Sequence, residues 1–172
     1  MLINDDVKLD YSDVLIRPKR STLKSRKEVD LFRTTKFRNA KIDDEPVEYL
    51  GGIPIMAANM DTVGTFEMAL ALSQQKLFTA IHKHYSSDQW SAFLTKAPKG
   101  IEDYIAFSLG TGKDDSKKLK IVFKDHPQLK FICIDVANGY SEHFANFVQQ
   151  TRTLYPDKVI IAPDKSILNG AT

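Results

Sequence analysis

Polar side chains able to bind a ligand follow directly after an apolar run in residues 131–144. The run ends at Asp135, Asn138 and Gly139 favour a turn, and Ser141 is a typical first residue of a helix. In parallel α/β proteins, ligands collect at the carboxyl ends of strands, where strand-terminal side chains and helix amino-termini meet in one crevice. Asp135 is therefore a candidate ligand-binding carboxylate. The alternative is that it only caps the following turn.

Other apolar runs in the sequence are followed by polar clusters of the same kind. The clusters are Asn59, Met60, Asp61 and Thr62; His82, Lys83 and His84; Ser108 and Thr111; and Asp135 and Asn138. Functional groups contributed by the ends of several different strands are typical of barrel enzymes.

Five apolar strand candidates would position these clusters, beginning near residues 53, 77, 104, 130 and 158. Helical apolar patterns fill the four gaps between them. Alternation of strands and helices at this spacing predicts repeated βαβ units and a parallel sheet. Such a sheet is either an open doubly wound domain or the first half of an eight-stranded barrel. The glycine-rich dinucleotide fingerprint of doubly wound domains is absent, because Gly110-Thr111-Gly112 lacks the third glycine.

Length and composition predict one globular domain. The 172 residues are 42% hydrophobic, and 24 basic against 22 acidic residues give a net charge of +2. This near balance favours neither nucleic acid nor a membrane surface as a partner. With a single cysteine, no signal peptide and no long apolar run, the sequence predicts a cytoplasmic protein.

We divide the predicted domain, residues 1–172, into a cover, a set of βα repeats and a short third segment at residues 163–172. Residues 1–50 are expected to form a cover that carries a basic cluster between Arg17 and Lys27, and residues 53–162 form the βα repeats. Residues 44–52, with one proline and two glycines, are expected to be a connection or short hairpin.

Histidine often binds metals and cysteine often acts as a nucleophile, but in this sequence neither is assigned such a role. His82 and His84 share one face of an extended segment, but no further ligands stand nearby, so no metal site is predicted. Cys133 lies inside an apolar run, which predicts a buried thiol.

Four motifs in order resemble the inosine monophosphate dehydrogenase/GMP reductase family, and the last two resemble its GMP reductase branch. They are LIRPKRSTLKSR at residues 15–26, AANMDTVGTFEMA at 57–69, HKHYS at 82–86 and CIDVANGYSEHF at 133–144. The resemblance covers about residues 5–162. It implies an α/β fold made of parallel (β/α) units, the first half of a TIM (β/α)8 barrel truncated after about strand 5.

The resemblance also implies an activity, which is the NADPH-dependent conversion of GMP to IMP and ammonia through a covalent bond between a cysteine and the purine. It implies a homo-oligomer, a tetramer in the full-length family. Carried over onto this sequence, the cofactor contacts are Ser25, Arg26, Lys83, Asp135, Val136 and Ala137, and the substrate contacts are Asn59 and Met60.

Two departures from the family pattern limit this expectation. The family's catalytic cysteine belongs to a G-x-G-P-G-S-x-C loop, and this sequence contains no such loop, so no catalytic residue is predicted. After Ala162 the sequence also diverges, so residues 163–172 are expected to be a divergent tail. The chain is then either the amino-terminal half of a GMP reductase, inactive alone, or a non-catalytic half-barrel that binds a nucleotide or associates with other subunits.

Overall fold

The computed structural model describes residue 7 and residues 9–162, without the side chains of residues 48–50. It forms two compact units, Met1–Asp30 and Leu31–Thr172. The first unit contains two 3-10 turns, Tyr11–Asp13 and Arg26–Glu28. The predicted tail at residues 163–172 lies outside the described residues.

The second unit contains seven strands and four α-helices among its described residues. The strands are β1 (Arg33–Ile42), β2 (Glu45–Gly52), β3 (Met56–Ala57), β4 (Phe78–Ile81), β5 (Ile105–Leu109), β6 (Phe131–Ile134) and β7 (Val159–Ile161). The helices are α1 (Phe66–Ser73), α2 (Ser87–Lys96), α3 (Lys113–Asp125) and α4 (Glu142–Leu154).

Strands β3 to β7 form one parallel sheet in chain order. The predicted α/β architecture of parallel (β/α) units is therefore confirmed. Three of the helices are capped at their amino-termini by hydroxyl side chains, which accept hydrogen bonds from backbone N–H groups that have no partner within the helix. Thr65, Ser86 and Ser141 accept hydrogen bonds of 3.2 Å from the third residue of α1, α2 and α4, respectively.

Alternation of side chains along the strands gives the sheet two buried faces. Ile81, Phe107 and Ile132 pack on one face with helix residues that include Trp90 and Phe144. The opposite face is lined by smaller residues, including Ala80, Ala106 and Cys133, together with Phe131 and Val159. Strands buried on both faces explain why these segments are continuous apolar runs in the sequence.

A hairpin made of β1 and β2 packs against the second face. Asp43 and Asp44 have φ angles of 50° and 66°, as in the tight turns that join twisted antiparallel strands. Phe37 meets the ring of Phe131 edge-on at 6.2 Å, and the Lys41 N–H donates to the Pro156 carbonyl at 2.8 Å. The hairpin therefore belongs to the same compact unit as the βα repeats.

The sheet ends at β7 among the described residues. A cavity of about 690 Å³ lies beside it, lined by hairpin residues from Phe37 to Lys41 and by Phe144, Val148 and Ile160. In the described part of the chain, we find no helix with the length and apolar character needed to cross a membrane.

Candidate functional site

The carboxyl ends of the parallel strands bring the predicted site residues of the second unit to one edge of the sheet. Asn59 and Met60 follow β3, Lys83 follows β4, and Asp135 follows β6 directly. Neighbouring strands are about 4.8 Å apart, so the ends of β4 and β6, with β5 between them, are separated by about 10 Å. Lys83 and Asp135 can therefore flank a single ligand group.

The loop after β3 is fixed by its own turn and by the next strand. The Met60 carbonyl accepts hydrogen bonds from Val63 and Gly64, and the Gly64 carbonyl accepts one from the His82 N–H at 2.8 Å. A Cβ at Gly64 would lie 2.2 Å from the Ala80 carbonyl oxygen, so only glycine fits this approach. The loop leaves Asn59 half-buried and the Met60 side chain 58% exposed.

The loop after β4 is held by an aromatic stack. The His82 ring stacks on Tyr85 at 4.1 Å, and Tyr85 stacks on Phe66 of α1 at 3.8 Å. Burial lowers the pKa of His82, nearby His84 lowers it further, and Asp61 opposes the shift. His82 is therefore neutral near pH 7, and its Nδ1 accepts a hydrogen bond from the His84 N–H at 3.3 Å.

Lys118 of α3 also holds this loop, and the sequence analysis missed it. Its Nζ donates to the carbonyl of Lys83 and, at 3.1 Å, to the carbonyl of Tyr85. Burial lowers the pKa of Lys118, and Asp115 opposes the shift. Helix α3 contains five lysines, and no sequence signal separates this one from the others.

The three candidate cofactor contacts in the loop after β6, Asp135, Val136 and Ala137, differ in how far their side chains are exposed. The Asp135 N–H donates to the Leu109 carbonyl at 2.8 Å, and its side chain is half-buried. The Val136 side chain is partly buried against the larger core cluster, whereas Ala137 is exposed. The side chain that stabilises this turn is that of Asn138, whose Oδ1 accepts from the Tyr140 N–H at 3.0 Å.

Cys133 is buried, as the sequence predicts, with 4% of its surface exposed. Burial raises the pKa of its thiol to about 11, Asp135 adds to the shift, and the Ser108 hydroxyl, paired across from it on β5, opposes it. The thiolate is the nucleophilic form of cysteine, so this side chain is poorly suited to nucleophilic attack near pH 7.

Ser25 and Arg26 lie in the first unit. The Ser25 hydroxyl accepts a hydrogen bond from the Lys27 N–H at 3.2 Å and so caps the Arg26–Glu28 turn. Arg26 is exposed, with its side chain on the surface of that unit. Across residues 7 and 9–162, no group of three or more His, Cys, Asp or Glu side chains is arranged to hold a metal ion.

The sequence profile of the IMP dehydrogenase / GMP reductase domain matches residues 8–167, which is almost the whole chain. The chain belongs to the IMP dehydrogenase / GMP reductase family. The match extends five residues beyond Ala162, the last residue of the resemblance seen in the sequence motifs.

Members of this family named GMP reductase are similar to the chain over most of its length. GMP reductase 2 from Homo sapiens is 54% identical over 160 residues, and GMP reductase 1 from Rattus norvegicus is 53% identical over 160 residues. In both cases 93% of this chain aligns with 44% of the relative. The GMP reductase of Buchnera aphidicola is 50% identical over 162 residues, 94% of this chain and 45% of its own length.

A solved member of the family has the same fold. Inosine 5′-monophosphate dehydrogenase from Legionella pneumophila superposes with a TM-score of 0.69 at 21% identity, covering 89% of this chain and 43% of the other. The chain thus spans less than half the length of the relatives it matches, which is consistent with the predicted amino-terminal half of a barrel.

Proposed function

We propose that this chain forms the cofactor-binding side of a GMP reductase, which uses NADPH to convert GMP to IMP with release of ammonia. One observation carries the proposal. Lys83 and Asp135 follow strands separated by only one other strand, in a family whose similar members are named GMP reductases. The strength of the identity over 160 residues supports the reductase branch of the family.

The chemistry of these side chains fits the nicotinamide end of the cofactor. The Asp135 carboxylate can accept hydrogen bonds from a carboxamide NH2, and the Lys83 ammonium can donate to the carboxamide oxygen or to a phosphate. Ala137 is small and exposed, so its side chain would not obstruct a flat ring that lies against this loop. When bound, NADPH supplies the hydride that reduces the purine.

The other carried-over residues suit different parts of the two ligands. Arg26 is exposed and can pair with an anionic group of the cofactor, next to the Ser25 cap. Met60 is exposed at the loop after β3, and a flexible thioether can cover the face of a purine. Asn59 beside it offers both an amide donor and an acceptor to the base.

We also propose that residues 1–172 alone do not complete the reaction. The covalent step needs a reactive thiolate, whereas Cys133 is buried and burial raises its pKa to about 11. The sequence contains no second cysteine. The nucleophile must therefore come from outside these residues.

Enzyme assays of the purified chain test this part of the proposal. We expect no GMP-dependent loss of NADPH absorbance, and the Cys133→Ser variant should behave like the parent chain. GMP-dependent oxidation of NADPH by residues 1–172 would contradict it.

Ligand-observed NMR tests the cofactor site directly. We expect weak NADPH binding, stronger than GMP binding, because a partial site is poorly preorganised and the cost of ordering reduces the affinity. Asp135→Ala should weaken it, whereas Asp114→Ala should not, since Asp114 is exposed and pairs only with exposed Lys117 among the described contacts. Arg26→Ala should also weaken NADPH binding, and by more than Lys27→Ala does. NADPH contact that is absent, or unchanged by both Asp135→Ala and Arg26→Ala, would refute the site.

We further propose self-association in the cytoplasm as the natural state of the chain. Strand β7 has an open edge among the described residues, beside the cavity of about 690 Å³. Exposed strand edges with adjacent apolar surface favour pairing with another chain. Sedimentation velocity should show dimers or larger species, and a monodisperse monomer would contradict this.

A further inference from the structure

Lys118 connects two loops at the ligand edge of the sheet. It lies on α3, which follows β5, and its Nζ donates to the carbonyls of Lys83 and Tyr85 in the loop after β4. The neighbouring Lys117 differs, because its side chain is 74% exposed and pairs with Asp114, whose side chain is 96% exposed. Lys118 is thus directed across the sheet edge rather than into solvent.

The two carbonyl contacts restrain the backbone on both sides of His84. Hydrogen bonds from an ammonium group are stronger than those between neutral groups. Because Lys118 is half-buried, water competes for these two hydrogen bonds less than it would at an exposed lysine. The Tyr85 ring is fixed separately by stacking between His82 and Phe66. The loop is therefore held by aromatic packing through its side chains and by Lys118 through its backbone.

Asp115 extends this connection to the loop after β5. Its Oδ2 accepts a hydrogen bond from the Gly112 N–H at 3.2 Å, and its charge attracts the Lys118 ammonium. Asp115 and Lys118 lie three residues apart on α3 and so project from the same side of the helix. One helix face therefore joins the loops after β4 and β5.

We propose that Lys118 is a positioning residue for Lys83: by holding the Lys83 and Tyr85 carbonyls, it fixes the backbone from which the Lys83 side chain reaches the nicotinamide end of NADPH. This inference rests on the proposed function, because the role of Lys83 as a cofactor contact belongs to it. Lys118 acts through Lys83 and has no assigned contact with the cofactor.

Hydrogen exchange of the chain without ligand tests the structural half of this inference. Lys118→Met should increase amide exchange in residues 82–86 by at least about tenfold, because the loss of even one charge-assisted hydrogen bond changes an opening equilibrium by about that factor or more. Exchange in β5 and β6 should stay unchanged. Lys117→Met is the matched control and should leave the loop as in the parent chain. Unchanged exchange in residues 82–86 of Lys118→Met would overturn the inference.

NADPH binding tests the functional half. Lys118→Met should weaken binding about tenfold, and Lys118→Arg should restore most of it, because a guanidinium can donate to both carbonyls. In a Lys83→Met background, Lys118→Met should have no further effect on affinity, since its role passes through Lys83. A general structural defect would instead add to the loss in that background and would overturn the positioning role.

The two measurements separate the possible failures. If the parent chain binds no NADPH, the proposed function fails and the cofactor role of Lys118 fails with it. The exchange experiment would still decide whether Lys118 holds the loop. If NADPH binds and Lys118→Met binds it equally well, the proposed function stands and the positioning role is wrong.

Discussion

The two ends of the parallel sheet are stabilised in different ways. Near the amino end, the rings of Phe37, Phe78 and Phe131 meet edge-on, with Phe131 6.2 Å from Phe37 and 6.0 Å from Phe78. At the carboxyl end, the loops are held by hydrogen bonds that involve Gly64, Lys118 and Asn138, in addition to the stack of His82 on Tyr85. Packed phenylalanine rings offer no hydrogen-bonding groups, whereas a hydrogen-bonded loop can present polar side chains to a ligand. The candidate site residues Lys83 and Asp135 lie at the carboxyl end.

Removal of the central ring at the amino end should have the largest effect on stability. Phe131 is 5% exposed and contacts both the hairpin and β4, so Phe131→Ala should lower the free energy of unfolding by about 3–5 kcal/mol. Tyr140→Ala, at a residue that is 71% exposed, should change it by less than about 0.5 kcal/mol. Urea unfolding followed by circular dichroism measures both, and equal losses would contradict the comparison.

The thiol between the two ends should be strongly protected. The pKa of Cys133 is raised from 9.0 to about 11, so its thiolate is reduced about 100-fold near neutral pH relative to an unperturbed thiol. Alkylation by iodoacetamide at pH 8 should be slower by at least that factor in the folded chain than in urea. Similar rates in the two states would mean that the packed region does not extend to Cys133.

A methyl group in the loop after β3 should disturb the carboxyl end without unfolding the sheet. Gly64→Ala places a Cβ 2.2 Å from the Ala80 carbonyl oxygen, so the loop must move, and overpacking of this kind costs about 1–3 kcal/mol. Gly100→Ala is the comparison variant. No atom lies within 4 Å of its added Cβ, but its φ of 88° should still cost about 1 kcal/mol. Thermal unfolding measures both losses of stability, and the NMR signal of the His82 amide should shift in Gly64→Ala but not in Gly100→Ala. An unshifted His82 signal in Gly64→Ala would contradict this account.

The smallest expected effect is a pH dependence that arises from His82. Its pKa is lowered in the folded chain from 6.5, so the unfolded state binds the proton more readily. The contribution of neutral His82 to the free energy of unfolding is therefore fully present above about pH 6.5. It decreases as the pH falls through the lowered pKa of the folded chain. The melting temperature of His82→Gln should therefore fall less than that of the parent between pH 7.5 and 5.5. His143→Gln, at an exposed position on α4, should keep the parent's pH dependence.

The sequence predicted the βα repeats because their signal is strong and local. All five strand candidates and all four helical patterns are present in the structure. Strand β1 was missed, because nine of its ten residues are not fully buried and only Ala40 is. A strand with so little apolar alternation resembles a polar loop in the sequence.

The site was predictable to the extent that strand ends determine it. The positions of Lys83 and Asp135 at one edge follow from the parallel sheet alone. The inward packing of Val136 and the contacts of Lys118 depend on tertiary structure, because the residues that meet are distant in sequence. The cofactor and substrate roles of the carried-over residues stay predictions.

The order of strands in the sheet has a consequence for how the chain forms during synthesis. Because β3 to β7 pair strictly in chain order, each strand can join the one made just before it as the chain leaves the ribosome. Within β3 to β7, each strand therefore pairs with a neighbour that is only one βα unit away in the sequence. The hairpin makes more distant contacts, because Phe37 meets Phe131 of β6 and the Lys41 N–H donates to the Pro156 carbonyl just before β7. The bond from Lys41 to Pro156 can form only after four βα units have been translated, so the hairpin completes its packing later than the first strand pairs of the sheet form.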